Sequence, residues 1–350
     1  MLALRDTTGR DVVRKLAAER RSAGGVASGL ALTLVAVTDE GRVREVEDAA
    51  TFAAAEHPCR LLIVVRDGHP GPDAASRLDA EIVVGGRLGP CEAVVLRMRG
   101  RLALHAESVV VPLLAPDVPV VTWWHGPPPG RIAYDPLGVV AERRITDTAQ
   151  CPNPVAALHQ RAEDYAPGDT DLAWTRLTPW RTLVAGAFDT TSALVTGVTV
   201  AAPQTDPSGA LLGGWLHARL GVQPALHPTA MPAADGVPAD RLRADGLPAD
   251  ALRAVELQLD DGTQLSLVRH GGTAVLHHTG QADRVLPLVR RRLGEELAEE
   301  LRRLDADQPY AAALGAATGL TGLDGRPRTR VHIWQDPALA EDPDTGCVPR

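Results

Sequence analysis

Residues Leu30–Val65, LALTLVAVTDEGRVREVEDAATFAAAEHPCRLLIVV, decide the fold of the first half of the chain. The segment begins and ends in apolar runs, Leu30–Val37 and Arg60–Val65, dominated by Val, Leu and Ile. That is the pattern of buried strands. Between them Glu45–Glu56 has helical composition and closes at His57-Pro58, because the residue before a proline is disfavoured in the helical region. Strand, helix and strand within about 35 residues make a βαβ unit, which requires the two strands to be parallel.

The same unit extends in both directions. Asp11–Arg21 is amphipathic, with Val13, Leu16, Ala17 and Arg20 at helical spacing and Gly24-Gly25 as its stop. Leu78–Val84 and Glu92–Arg99 read as strands across the turn GGRLGP, Leu102–Leu114 as a helix, and Val118–Trp123 as a last strand. A sheet of about five strands with helices packed on it follows. Val155–Tyr165 is helical, and Asp171–Asp189 holds another helix with Thr178 as N-cap and Pro179 at the first helical position.

Beyond Leu194 the pattern changes. Leu194–Ala201 is a strand, and Gly209–Leu220 is a helix ended by Gly221. In Leu252–Asp260, Val255, Leu257 and Leu259 alternate with Glu256 and Gln258, and Asp261-Gly262 is a hairpin turn. Gln264–Arg269 and Thr273–His278 continue the meander across Gly271-Gly272. Leu286–Leu304 carries the stripe Leu286, Val289, Leu293, Leu297, Leu301 and Leu304, with Arg291/Glu295, Arg292/Glu296 and Glu299/Arg303 as i,i+4 pairs, and predicts one long helix. The expected architecture is therefore an α/β N-terminal domain with a mixed, partly parallel sheet, followed by an α+β C-terminal domain with an antiparallel meander. The expected divisions are residues 1–150, 151–335 and a loose tail over 336–350. The Pro/Ala/Asp-rich stretch Met231–Asp250 reads as an exposed insertion.

Composition narrows the function. A chain of 350 residues is long for one core. Its net charge of −8 and lack of a long basic run exclude a nucleic-acid binder. No apolar stretch approaches a membrane span, and MLALRDTTGRD lacks the basic-then-apolar pattern of a secretory signal, so a cytoplasmic location is expected. Cys59, Cys91, Cys151 and Cys347 show no metal or CxxC spacing and read as reduced thiols.

Catalytic motifs are missing. No GxGxxG follows the first strand, Lys15 is not in a Walker setting, and there is no GxSxG or HExxH. RHGGT at Arg269–Thr273 reads as a hairpin turn. His277-His278 point to opposite faces of a strand, which is poor geometry for joint metal ligation. His57-Pro58-Cys59 reads as a turn followed by a buried thiol. No catalytic residue, metal site or cofactor is expected.

In a chain with two Phe and three Tyr, the adjacent Trp123 and Trp124 at a strand end are a large apolar commitment. Successive strand residues point to opposite faces, so at most one ring is expected fully in the core; two partly buried core rings and an interaction surface that takes the second ring are both open readings. Trp and Arg are enriched at binding hot spots. Trp123, Trp124, Arg143, Arg144, Asp147, Trp174, Trp180 and Arg181 are therefore the candidate partner-binding residues. Three other readings stay open for Arg143, Arg144 and Asp147: a solvated helix face, a charged contact, and phosphate binding, with Arg143 and Arg144 as phosphate ligands in a sugar-phosphate sensor or enzyme.

SAGGVASGLALTLVAV, EHPCRLLIVV, HAESVVVPLLAPDVPVVTWWHG, DPLGVVAERRITD and WTRLTPWRTLVAGAFD, joined by RRRLGEELAEELRRLDADQPYAAAL, closely resemble the OpcA family of glucose-6-phosphate dehydrogenase assembly proteins, nearest its actinobacterial branch. The resemblance covers most of residues 7–315 in the expected order. Cys59 stands where Ser is common in that family, and His125 where Pro is common. The resemblance implies a non-enzymatic partner that assists assembly of oligomeric glucose-6-phosphate dehydrogenase or activates it allosterically, supporting the oxidative pentose phosphate pathway and NADPH supply. It implies no catalytic residues.

Overall fold

The computed structural model describes residues 2–22, 29–66, 75–85, 92–188, 191–228 and 252–327. The first of its two sheets has eight strands: β1 (Leu2–Leu4), β2 (Leu32–Thr38), β3 (Cys59–Arg66), β4 (Arg77–Val84), β5 (Glu92–Arg99), β6 (Val120–Trp124), β7 (Arg143–Thr146) and β8 (Asp169–Asp171). Their spatial order is β1-β4-β5-β3-β2-β6-β7-β8. From β5 to β8 every neighbouring pair is parallel; β4 and β1 add an antiparallel edge. The expected βαβ unit is present, with β2 and β3 in register from Leu32↔Cys59 to Thr38↔Val65.

Helix α1 (Gly9–Ser22) packs on one face of this sheet and α2 (Val43–Glu56) on the other. Leu34, Ile63 and Trp123 belong to the α2 side; Val35, Leu62 and Trp124 belong to the α1 side. Alternation along each strand therefore divides residues between two cores, as continuous apolar strands require.

The sheet exceeds the expected five strands because β1 (LAL) is only three residues long and β7 and β8 carry little apolar signal. β7 reads RRIT and β8 reads DTD. The expected helix over Leu102–Leu114 is broken. Gly100–His105 and Val111–Leu113 are 3₁₀ turns around one α turn, α3 (Glu107–Val110), and Pro112 lacks the N–H a longer helix would need. The chain then forms α4 (Pro136–Val139), α5 (Pro154–Asp164), α6 (Leu172–Thr175) and α7 (Thr178–Ala187). Leu177, not Thr178, is the N-cap of α7, so Thr178 and Pro179 both lie inside its first turn.

The second sheet has six strands: β9 (Val195–Ala202), β10 (Ala225–Pro228), β11 (Ala254–Leu259), β12 (Gln264–His270), β13 (Thr273–His278) and β14 (Arg284–Pro287). Their order is β10-β9-β11-β12-β13-β14, and all pairs except β10/β9 are antiparallel. Gly262 and Gly271 take positive φ in the two hairpin turns read from the sequence. Helices α5, α7 and α8 (Pro207–Leu220) bury one face of this sheet.

The predicted helix over Leu286–Leu304 is replaced by two elements. Leu286 pairs with Ala274 as part of β14, and only α9 (Leu293–Leu301) is helical. Pro287 lacks an N–H and separates the two. Glu295 turns its carboxylate back onto the Arg292 backbone N–H at 2.6 Å instead of pairing with Arg291. Helix α10 (Gln308–Thr318) packs against α8, where a Cβ on Gly214 would lie 2.2 Å from the Ala313 carbonyl oxygen.

The sheets do not divide at residue 150. β8 completes the first sheet from beyond that point, and Leu297, Ala298 and Leu301 of α9 join the α2 core. The stop at Gly24-Gly25, the insertion over Met231–Asp250, the tail over 336–350, Cys91 and Cys347 lie outside the described residues.

Candidate functional site

Trp123 is 0% exposed and Trp124 2%, so both rings are core, one on each face of the sheet. This bears out the reading of two core rings and corrects the reading in which one ring reaches solvent. The latter assumed a single covered face. Trp123 sits 5.0 Å from the His125 ring, whose Nε2 lies 3.0 Å from Glu45. Trp124 packs with Ile132 and Leu137. The DPLG sequence supports that packing. Asp135 accepts a hydrogen bond from the Leu137 N–H as the N-cap of α4. At Gly138 a Cβ would lie 1.8 Å from the Ile132 carbonyl oxygen and 3.4 Å from the Trp124 ring, so no side chain fits.

Arg143, Arg144 and Asp147 are buried at or just beyond β7, not on a solvated helix. Arg143 pairs with Glu300 of α9 and donates to the Asp305 carbonyl at 2.9 Å. Arg144 pairs with Asp169 of β8 and donates to the carbonyls of Ala141 (2.9 Å) and Pro167 (3.0 Å). Their donors are committed to the protein, which removes both from the reading as phosphate ligands. Asp147 receives Arg176 through both oxygens, at 2.7 and 2.6 Å, and Arg176 also meets Glu296 of α9. Nearby, Asp171 accepts from the Thr146 hydroxyl (2.7 Å) and from the backbone N–H groups of Thr148 and Ala173 (both 2.9 Å).

This ionic network joins the β7–β8 edge to α6 and α9. Burial raises the pKa of Asp169 and Asp171 despite Arg144 and the surrounding donors, and burial raises Glu296 despite Arg176. Burial disfavours charge on Arg176 too, but hydrogen bonds and attraction from Asp147, then Glu296, override it and hold the guanidinium charged.

Trp174 and Trp180 are likewise buried. The Trp174 indole N–H donates to Asp307 at 2.8 Å, its ring meets Tyr310 at 5.9 Å, and the Arg181 guanidinium lies 3.5 Å above it. Arg181 is half-buried, and burial pulls its pKa down to about 10. Of the eight candidate residues, Arg181 alone is not fully buried. The other seven are buried and offer no exposed surface to a protein partner; of these, Asp147 and Trp180 reach the wall of one cavity.

A cavity of about 260 Å³ opens where this network meets the second sheet. Asp147, Arg176, Trp180, Arg269, Arg290 and Arg291 stand in its wall. The sequence reading gave Arg176, Arg269 and Glu300 no role at the site and paired Glu296 with Arg292, whereas Glu296 meets Arg176. One signal was available: Glu296 and Glu300 are four apart on α9 and so share a helix face. Cys59 is buried, and burial followed by Asp171 raises the Cys151 thiol pKa, which disfavours the reactive thiolate. Among the described residues no group of three or more His, Cys, Asp or Glu is placed to hold a metal, and no helix is long and apolar enough to cross a membrane.

Residues 50–163 match the glucose-6-phosphate dehydrogenase subunit N-terminal domain, and residues 167–314 match the C-terminal domain of the same family. The chain belongs to the OpcA family. Three cyanobacterial relatives carry the name "Putative OxPP cycle protein OpcA". The Synechocystis protein is 28% identical over 147 residues, 40% of this chain and 31% of that protein. The Synechococcus elongatus protein is 31% identical over 144 residues, 38% and 32% of the two chains. The Nostoc punctiforme protein is 29% identical over 143 residues, 38% and 31%. The matched part thus spans about a third of each curated relative's length.

Proposed function

We propose that this chain is a non-enzymatic partner of glucose-6-phosphate dehydrogenase that promotes its oligomeric assembly and activates it allosterically in the cytoplasm. Flux into the oxidative pentose phosphate pathway and NADPH supply rise as a result. The observation that carries this reading is the pair of family matches, in chain order, over residues 50–163 and 167–314. The interior supports it: the Trp and Arg residues of the family resemblance are spent on packing and ion pairing. Binding therefore falls to the surface that this interior holds in place, with Arg181 the one accessible member of the predicted set.

The mechanism is linkage. A protein that binds an active conformation or oligomer better than an inactive one shifts the population by its differential affinity. A coupling of about 1–3 kcal/mol changes apparent affinity by roughly 5–150-fold. No catalytic group on the activator is required.

Size-exclusion chromatography with mass measurement, on the dehydrogenase of the same organism with and without this chain, tests the reading. Co-elution with a shift of the dehydrogenase to a larger assembly is expected. Independent elution with an unchanged dehydrogenase mass contradicts it.

A further inference from the structure

The 260 Å³ cavity has a charge arrangement that the ionic network does not use. It lies beyond the C-terminal end of β7, the side of a parallel sheet where α/β proteins collect ligands. The opposite wall comes from the segment between β14 and α9. Asp147 stands in the wall, but its two oxygens already receive Arg176 and the Gln150 amide. Asp206 stands there too, and one of its oxygens caps α8 through the Ser208 N–H at 2.8 Å.

The cations are less committed. Arg290 is exposed, and its charge acts on the Glu296 carboxylate, which Arg176 already holds. Arg291 has only a long contact to Glu299 at 3.9 Å, and its Nη1 is buried without a hydrogen-bond partner. The Arg269 guanidinium stands 5.3 Å from the Trp180 ring centre. Trp180, Leu177 and Leu252 supply an apolar floor.

The Arg290 and Arg291 guanidinium groups beside an aromatic and aliphatic floor suit one kind of molecule. It has a compact anion for the forked donors and a carbon face to lie on the ring. The cavity is at the small end of ligand pockets, which fits a phosphosugar and excludes a dinucleotide. We propose that this cleft binds a phosphomonoester of a small polyol. Arg290 and Arg291 hold the phosphate, and Trp180 packs against the carbon face. Such a ligand ties the β14–α9 connection to α7 and α8. The inference stands apart from the dehydrogenase reading, since it concerns the isolated chain.

Isothermal titration of the full chain tests it, with glucose 6-phosphate, inorganic phosphate and glucose as probes. Saturable one-to-one binding of glucose 6-phosphate is expected, with weaker binding of phosphate and none of glucose. Arg290→Ala with Arg291→Ala weakens that binding about tenfold or more, the scale of lost charge-assisted hydrogen bonds. Arg290→Ala alone weakens it less, and Arg10→Ala, exposed on α1 outside the cavity, leaves it unchanged. A melting temperature close to that of the parent shows that each variant is folded. No binding up to roughly 10 mM, phosphate binding as tight as the phosphosugar, or undiminished binding by the folded double variant each overturns the proposal.

Discussion

In β6 the neighbours Trp123 and Trp124 point to opposite faces and are both buried; in β11 the neighbours Glu256 and Leu257 also point to opposite faces, yet only Leu257 is buried. Strand geometry is the same in both. What differs is the cover. The first sheet has helices on both faces, and the second buries one. Alternation in a strand therefore reports exposure only when one face is open. When both faces are closed, a pair of large residues at a strand end is two anchors in two cores.

The largest expected effect tests this directly. Trp123→Ala and Trp124→Ala each lose about 3–5 kcal/mol, the cost of emptying a large aromatic site in a core. Equilibrium denaturation of the two variants measures it. A variant of either residue with parent-like stability breaks the two-core account of β6.

Arg144→Ala comes next, with a similar or slightly smaller loss of about 3–5 kcal/mol, because Asp169 is left buried without its cation. Denaturation at low and high salt distinguishes this from a surface pair. The loss persists at high salt for a buried partner, and a loss that vanishes in salt contradicts the burial of β7.

The open-faced sheet makes the contrasting prediction. Leu257→Ala costs about 2–5 kcal/mol, while Glu256→Thr changes stability by no more than about 0.5 kcal/mol. Adjacent positions thus split in β11 and do not split in β6. Equal losses at Glu256 and Leu257 in the same denaturation experiment remove the comparison.

The smallest effect concerns pH. Burial raises the Glu296 pKa in the folded state. A carboxyl shifted upward binds more protons folded than unfolded. Its contribution is full below the unfolded value, about 4.3, and is lost as pH rises through the folded one. Acidifying from pH 7 toward pH 5 therefore costs no stability through Glu296. Thermal melts of the parent and Glu296→Gln at both pH values check the sign. A parent that loses more stability than Glu296→Gln on acidification contradicts it.

Elements with a strong local signal were legible in the sequence. The β2–α2–β3 unit followed from its two apolar runs, the second-sheet meander from alternation and Gly turns, and α8 from its stop at Gly221. β7 and β8 were not, since short strands made of Arg, Asp and Thr are recognisable only by the partners that neutralise them. The Leu286–Leu304 stripe misled for a related reason. Leu286 packs in β14 and Leu297 on α2, so residues from two elements happened to fall at helical spacing. At the candidate site the sequence pointed to the right neighbourhood. Of the readings open for Arg143, Arg144 and Asp147 the charged contact holds and the binding surface does not: Glu300, Asp169 and Arg176 from distant positions close over them.

The most direct test of the account is the steady-state rate of the dehydrogenase from the same organism, measured across glucose 6-phosphate concentrations with this chain absent, stoichiometric and in excess. The account predicts no NADP reduction by this chain alone, and a dehydrogenase whose apparent substrate affinity or maximal rate rises and saturates as the chain is added. Turnover by the chain itself that survives removal of contaminating dehydrogenase, or a dehydrogenase unaffected at any ratio, contradicts it.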